Sequence, residues 1–83
     1  MHWTILAVEI GRQIRKTREE QGLRQEELAF AAGVSTRVVH QVENGKSTSR
    51  FDVIARILDA LGLSIEVVPA RRGLGARPRP RKS

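Results

Sequence analysis

A mainly α domain of short helices, closed by one β-strand, is what residues 1–68 of this 83-residue chain predict. Three observations lead there. Apolar residues recur at helical spacing from Ile10 to Leu61, interrupted at Gly22, Gly33 and Gly62, the places where a helix stop needs a residue tolerant of positive φ. Between Gln25 and Gly45 the run Q-E-E-L-A-F-A-A-G-V-S-T-R-V-V-H-Q-V-E-N-G reads as two short helices that share a core side through Leu28, Ala29, Ala32, Val34, Val39 and Val42. From Leu63 the pattern changes: L-S-I-E-V-V sets Leu63, Ile65 and Val67 against Ser64 and Glu66 until Pro69 ends the run.

The first helix is expected from Ile5 or Val8 to Gln21, with Gly22 just past its end. Ile10 and Ile14 form its apolar stripe, and Arg18 falls on the same side. A charge placed there needs a buried partner, and Glu43 is the expected one, in a structural rather than catalytic role. Gly11 weakens such a helix by about 1 kcal/mol relative to alanine, unless another part of the chain must approach closely there. Trp3, the one tryptophan, is expected to pack within the protein or a dimer. The second helix begins near Gln25 behind Arg24, with Glu27 in the third position of a capping box that lacks its usual hydroxyl. Gly33 provides the turn, and Ser35 caps a third helix running from about Thr36 to Asn44. Asn44-Gly45-Lys46 marks a turn, and Ser47 or Thr48 is the expected cap of a fourth helix. Its apolar face is Phe51, Ile54, Ala55, Ile57, Leu58 and Leu61, with Gly62 as its stop.

Gly33 between two short helices outlines a helix-turn-helix. The register of Gln25, Ala29, Gly33, Val34, Val39, Val42, Glu43 and Gly45 resembles the Xre/Cro class of prokaryotic DNA-binding domains over residues 10–62. The resemblance implies a lambda-repressor-like helix-turn-helix bundle of four to five helices. It also implies an arginine of the first helix paired with the glutamate ending the third, here Arg18 and Glu43. The third helix then reads the major groove through Thr36, Arg37, His40, Gln41 and Asn44, with Arg37 suited to guanine, Gln41 to adenine, and His40 to donating to a base or phosphate, an inert surface histidine being the other reading. Val38 is expected to touch a thymine methyl or to sit at the helix edge. Arg24, Gln25, Ser35, Lys46 and Arg50 are expected along the DNA backbone, Gln25 through its amide at a helix N-terminus and Arg24 in exchange for the missing cap.

A single strand leaves its backbone groups unsatisfied, so Leu63, Ile65 and Val67 are expected to pair across a homodimer; an extended segment packed on its own monomer is the other reading. A helix-turn-helix followed by G-L-S-I-E-V-V-P resembles the HipB-like antitoxins, which implies a repressor of its own operon that also neutralises a HipA-like Ser/Thr kinase toxin. The rivals are a stand-alone phage or host Xre-type repressor and a protein-interaction or coactivator-like module that no longer reads bases.

The net charge of +6 is not spread over the domain: residues 1–68 hold nine basic and nine acidic residues, and the excess lies in Arg71, Arg72, Arg77, Arg79, Arg81 and Lys82. Residues 69–83 are therefore read as a basic tail without fixed structure alone, suited to DNA phosphates, to an acidic partner surface or to a solvated terminus. There is no cysteine, so neither disulfides nor thiolate metal sites arise. His40 has only His2 as a fellow histidine, and no metal or other cofactor is expected. No Ser-His-Asp set and no glycine-rich phosphate loop is present, so no enzyme is expected. No run of about eighteen apolar residues and no export signal is seen; no membrane association and a cytoplasmic, nucleoid-associated place are the expectation.

Overall fold

The computed structural model of the chain describes residues 3–69. Its helices are α1 (Trp3–Glu20), α2 (Gln25–Ala32), α3 (Thr36–Glu43) and α4 (Phe51–Leu61). α1 and α2 each pack against both α3 and α4. Ile14, Leu28, Val39 and Ile57, one from each helix, are the largest side chains fully removed from solvent. Burying each contributes about 1.5–3 kcal/mol. Ala29, Ala32, Val42, Leu58 and Leu61 complete the cluster.

Local signals place the ends of the helices. Gly22, Gly33, Gly45 and Gly62 all have positive φ, and the residue after each sends its N–H back to close the helix: Leu23 to Arg18, Val34 to Ala29, Lys46 to Gln41 and Leu63 to Leu58, at 2.8–3.1 Å. Gln21 Nε2 donates to the Leu61 carbonyl at 2.9 Å, which ties the end of α1 to the end of α4. Ser35 Oγ accepts from the Val38 N–H at 3.1 Å as the N-cap of α3.

Gly11 sits where α1 crosses the end of α3. A Cβ there would collide with the Val42 carbonyl oxygen and lie 2.8 Å from that of Glu43, so the glycine is what lets the two backbones approach.

Several elements differ from their sequence expectation. α1 begins at Trp3 rather than at Ile5 or Val8, because residues 3–10 contain no glycine or proline to stop the helix. The added turns leave Trp3 65 % exposed, and Ile5, Leu6 and Val8 are exposed beside it, so Trp3 does not join the core. α4 is preceded by Arg50, not capped by Ser47 or Thr48, and no side chain caps it. Arg50 instead grips Asp52 in the first turn, at 3.1 Å and 2.9 Å. Phe51, at the first position of α4, is 72 % exposed, and the helix packs on the core through the residues that follow it, Val53, Ile54, Ile57, Leu58 and Leu61.

No strand forms among the described residues, and the segment of Leu63, Ile65 and Val67, expected as a strand paired across two copies, has no ladder within the single chain. A β-ladder needs a neighbour to accept and donate its hydrogen bonds, and the described part of the chain has only one segment of this pattern. Leu63 follows the closing bond of α4 onto the core, whereas Ile65, Val67 and Val68 stay exposed, Val67 at 97 %. Beyond Pro69, the expected basic tail lies outside the described residues.

Candidate nucleic-acid interface

α3 presents one face by burying the other. Val39 and Val42 are in the core, which leaves Thr36, Arg37, His40 and Asn44 exposed and Val38 and Gln41 half-buried at the edge. The turn at Gly33 and the Ser35 cap set where that face begins.

The end of α3 is held by a buried polar cluster. Arg18 Nε donates to Glu43 Oε2 at 2.6 Å and Nη2 to Oε1 at 3.0 Å, while Nη1 donates to the Leu23 carbonyl at 2.8 Å. The hydrogen bond to Glu43 is the main influence raising the Arg18 pKa above the ordinary arginine value; burial opposes it, and the negative charges of Glu43 and Glu19 add to it. Gln25 Nε2 donates to Glu43 Oε1 at 3.0 Å. Among the described residues no buried side-chain nitrogen or oxygen lacks a partner. The cluster joins the end of α1, the start of α2 and the end of α3, so it fixes the orientation of the exposed face.

The same cluster decides the charge of that face. Glu43 is the only acidic residue between Ser35 and Arg50, and its burial against Arg18 takes it off the surface. Arg12, Arg15 and Lys16 are paired with Glu9, Glu19 and Glu20 along α1, and Arg50 with Asp52. Arg24 approaches Glu27 at 3.5 Å. Among the described residues this leaves Arg37, Lys46 and Arg56 as the basic side chains with no carboxylate partner, and Arg37 and Lys46 flank the exposed face of α3. A neutral domain thereby carries a locally positive strip.

The expected contacts are not all equally placed. One amide hydrogen of Gln25 is committed to Glu43; the other, with the backbone N–H at the first position of α2, is what remains for an anion. Arg24 is largely exposed and offers no acceptor, so only half of a capping box forms: its N–H donates to Glu27 Oε1 at 2.8 Å. That bond, followed by the guanidinium, holds the Glu27 carboxyl below its ordinary pKa. A hollow of about 200 Å³ between α3 and the start of α4 gathers Val38, Gln41, Lys46 and Arg50 with Thr48, Ser49 and Val53. The last three were not expected at the site from the sequence, where the only sign was that Thr48 and Ser49 lie between Lys46 and Arg50 and that Val53 is in the first turn of α4. Lys46 Nζ donates to Gln41 Oε1 at 3.3 Å, and Asn44 Nδ2 lies 3.1 Å from His40 Nε2.

The helix-turn-helix family model matches residues 14–68, which takes in this whole assembly. The chain belongs to the Xre/Cro-like helix-turn-helix family. This helix-turn-helix protein is similar to an uncharacterised HTH-type transcriptional regulator of Sinorhizobium fredii, 42 % identical over 60 residues that cover 72 % of this chain and 79 % of that one. A similar regulator of Haemophilus influenzae is 24 % identical over 66 residues, covering 80 % of this chain and 67 % of the relative. One from Mycobacterium tuberculosis is 38 % identical over 64 residues, but the matched region spans 46 % of that longer protein. The family match begins at Ile14, so the first half of α1 lies outside it. No helix among the described residues is long and apolar enough to cross a membrane.

Proposed function

We propose that this helix-turn-helix protein is a sequence-specific, DNA-binding transcriptional repressor that acts as a homodimer. The observation that carries the reading is the exposed face of α3: polar, free of acidic side chains, flanked by Arg37 and Lys46, and held rigid by the Arg18–Glu43–Gln25 cluster. α3 enters the major groove, where Thr36, Arg37, His40, Gln41 and Asn44 meet base edges and Val38 meets a thymine methyl. Arg24, Gln25, Ser35, Lys46 and Arg50 meet phosphates and set the register. Two copies read a pseudo-palindrome with half-sites about 34 Å apart. The printed descriptions of the relatives as HTH-type transcriptional regulators support this reading.

The narrower reading is a HipB-like antitoxin that represses its own operon and neutralises a HipA-like Ser/Thr kinase. Uncovered apolar surface supports it. A groove of about 530 Å³ runs between α1 and the segment after α4, lined by Leu6, Ile10, Leu58, Leu63 and Ile65, with Val67 at its edge. The segment Leu63–Val68 of a second copy supplies the missing ladder partner and covers these side chains. The relatives' printed description, HTH-type transcriptional regulator, fits a stand-alone repressor equally well.

Fluorescence anisotropy with the duplex upstream of the protein's own gene tests DNA reading. Replacing Arg37 with alanine lowers discrimination by about 1–3 kcal/mol; unchanged binding would favour a protein-interaction module that reads no bases. Sedimentation of the chain lacking residues 63–68 tests the dimer, which persists only if the segment is not its interface. Co-purification with the product of the adjacent gene separates the antitoxin from the stand-alone repressor.

A further inference from the structure

Gln41 is contacted at both its backbone and its side chain by one residue outside its helix. Lys46 addresses it twice: the Lys46 backbone N–H donates to the Gln41 carbonyl at 3.1 Å, and Lys46 Nζ donates to Gln41 Oε1 at 3.3 Å. The first contact is fixed by the fold, because Gly45 between them has φ +83° and closes α3 against Val8. The second has only one chemical sense. An ammonium carries donors and no acceptor, so it is the amide oxygen that faces Lys46 and the amide NH₂ that is left for a ligand.

That orientation changes what Gln41 reads. A free glutamine offers one acceptor and one donor side by side, the complement of adenine with its N6 donor and N7 acceptor. With Oε1 turned toward Lys46 and one of its two lone pairs taken, the edge Gln41 leaves toward a ligand is its pair of N–H donors. Guanine, whose major-groove edge carries the acceptors O6 and N7, is the purine that matches. We propose that Lys46 is a specificity-determining positioning residue, and that the Gln41–Lys46 couple selects guanine over adenine at the base pair Gln41 faces. This rests on the reading of α3 as a recognition helix.

The test is selection from a random-sequence duplex library, with the bound pools sequenced for the unaltered protein and for Gln41→Ala, Lys46→Met and Lys46→Arg. Gln41→Ala flattens one base position and so identifies it. At that position the unaltered protein and Lys46→Arg enrich G, whereas Lys46→Met frees Oε1 and moves the ratio of G to A toward A by about tenfold or more. A Lys46 that only touched phosphate would weaken all sequences alike and leave that ratio unchanged, which overturns the proposal. Adenine at that position in the unaltered pool, or no position flattened by Gln41→Ala, overturns it as well while leaving DNA binding intact. A pool with no enriched sequence at all removes the DNA-reading function and the inference together. Thermal unfolding of Lys46→Met, an exposed position, confirms that the fold is retained.

Discussion

Arg18 and Glu43 lie 25 positions apart and meet through two parallel hydrogen bonds inside the domain, where 10 % and 3 % of their side-chain surfaces remain exposed. Removing one partner strands the other charge away from water. Glu43→Ala is therefore expected to destabilise the domain by about 3–5 kcal/mol, whereas the double replacement Arg18→Met with Glu43→Leu recovers much of the loss. Denaturant unfolding of the three variants measures both effects. DNA binding by the double variant then reports whether the pair orients α3 as well as stabilising it.

Gly11→Ala separates intrinsic helix preference from packing. Propensity alone favours alanine by about 1 kcal/mol. The carbonyls of Val42 and Glu43 occupy the space a Cβ needs, and backbone cannot turn aside as a flexible side chain can. The expected result is a loss of about 1–3 kcal/mol, read as a lower midpoint of thermal or chemical unfolding.

Arg24→Thr supplies the hydroxyl acceptor that the N-terminus of α2 lacks. Stability is expected to rise by about 1 kcal/mol. If Arg24 contacts phosphate, the slope of log affinity against log salt falls by about one contact in the same variant. Unfolding and salt titration together show whether the position trades one property for the other.

Glu27 gives an acid-dependent signature. Its folded pKa is depressed, chiefly by the Arg24 N–H, so its contribution is present above the ordinary carboxylate value and is lost as pH falls through the depressed one. The stability gap between the unaltered protein and Glu27→Gln is therefore expected at neutral pH and closes in acid below the usual glutamate range. Arg18 contributes no such step, because its pKa is raised and its charge is lost only in strong alkali. Unfolding measured across acidic pH checks the gap.

Helix order, the turn at Gly33, the Ser35 cap and the stop at Gly62 depend on residues a few positions apart, and the chain's own punctuation determined them. The core membership of Ile14, Leu28, Val39 and Ile57 follows from their helical period. What tertiary structure decided involves groups far apart in sequence or partners that no local pattern names. It brought α1 against the carbonyls ending α3, which gave Gly11 its reason. It took Glu43 off the surface and so made the exposed face of α3 positive on a neutral domain. It turned one Gln25 hydrogen toward Glu43 and the Gln41 oxygen toward Lys46, and hydrogen-bond direction is visible only once both atoms are placed. Alternation in Leu63–Val68 signalled β-preference, but a strand exists only beside another, and the described chain contains no second one.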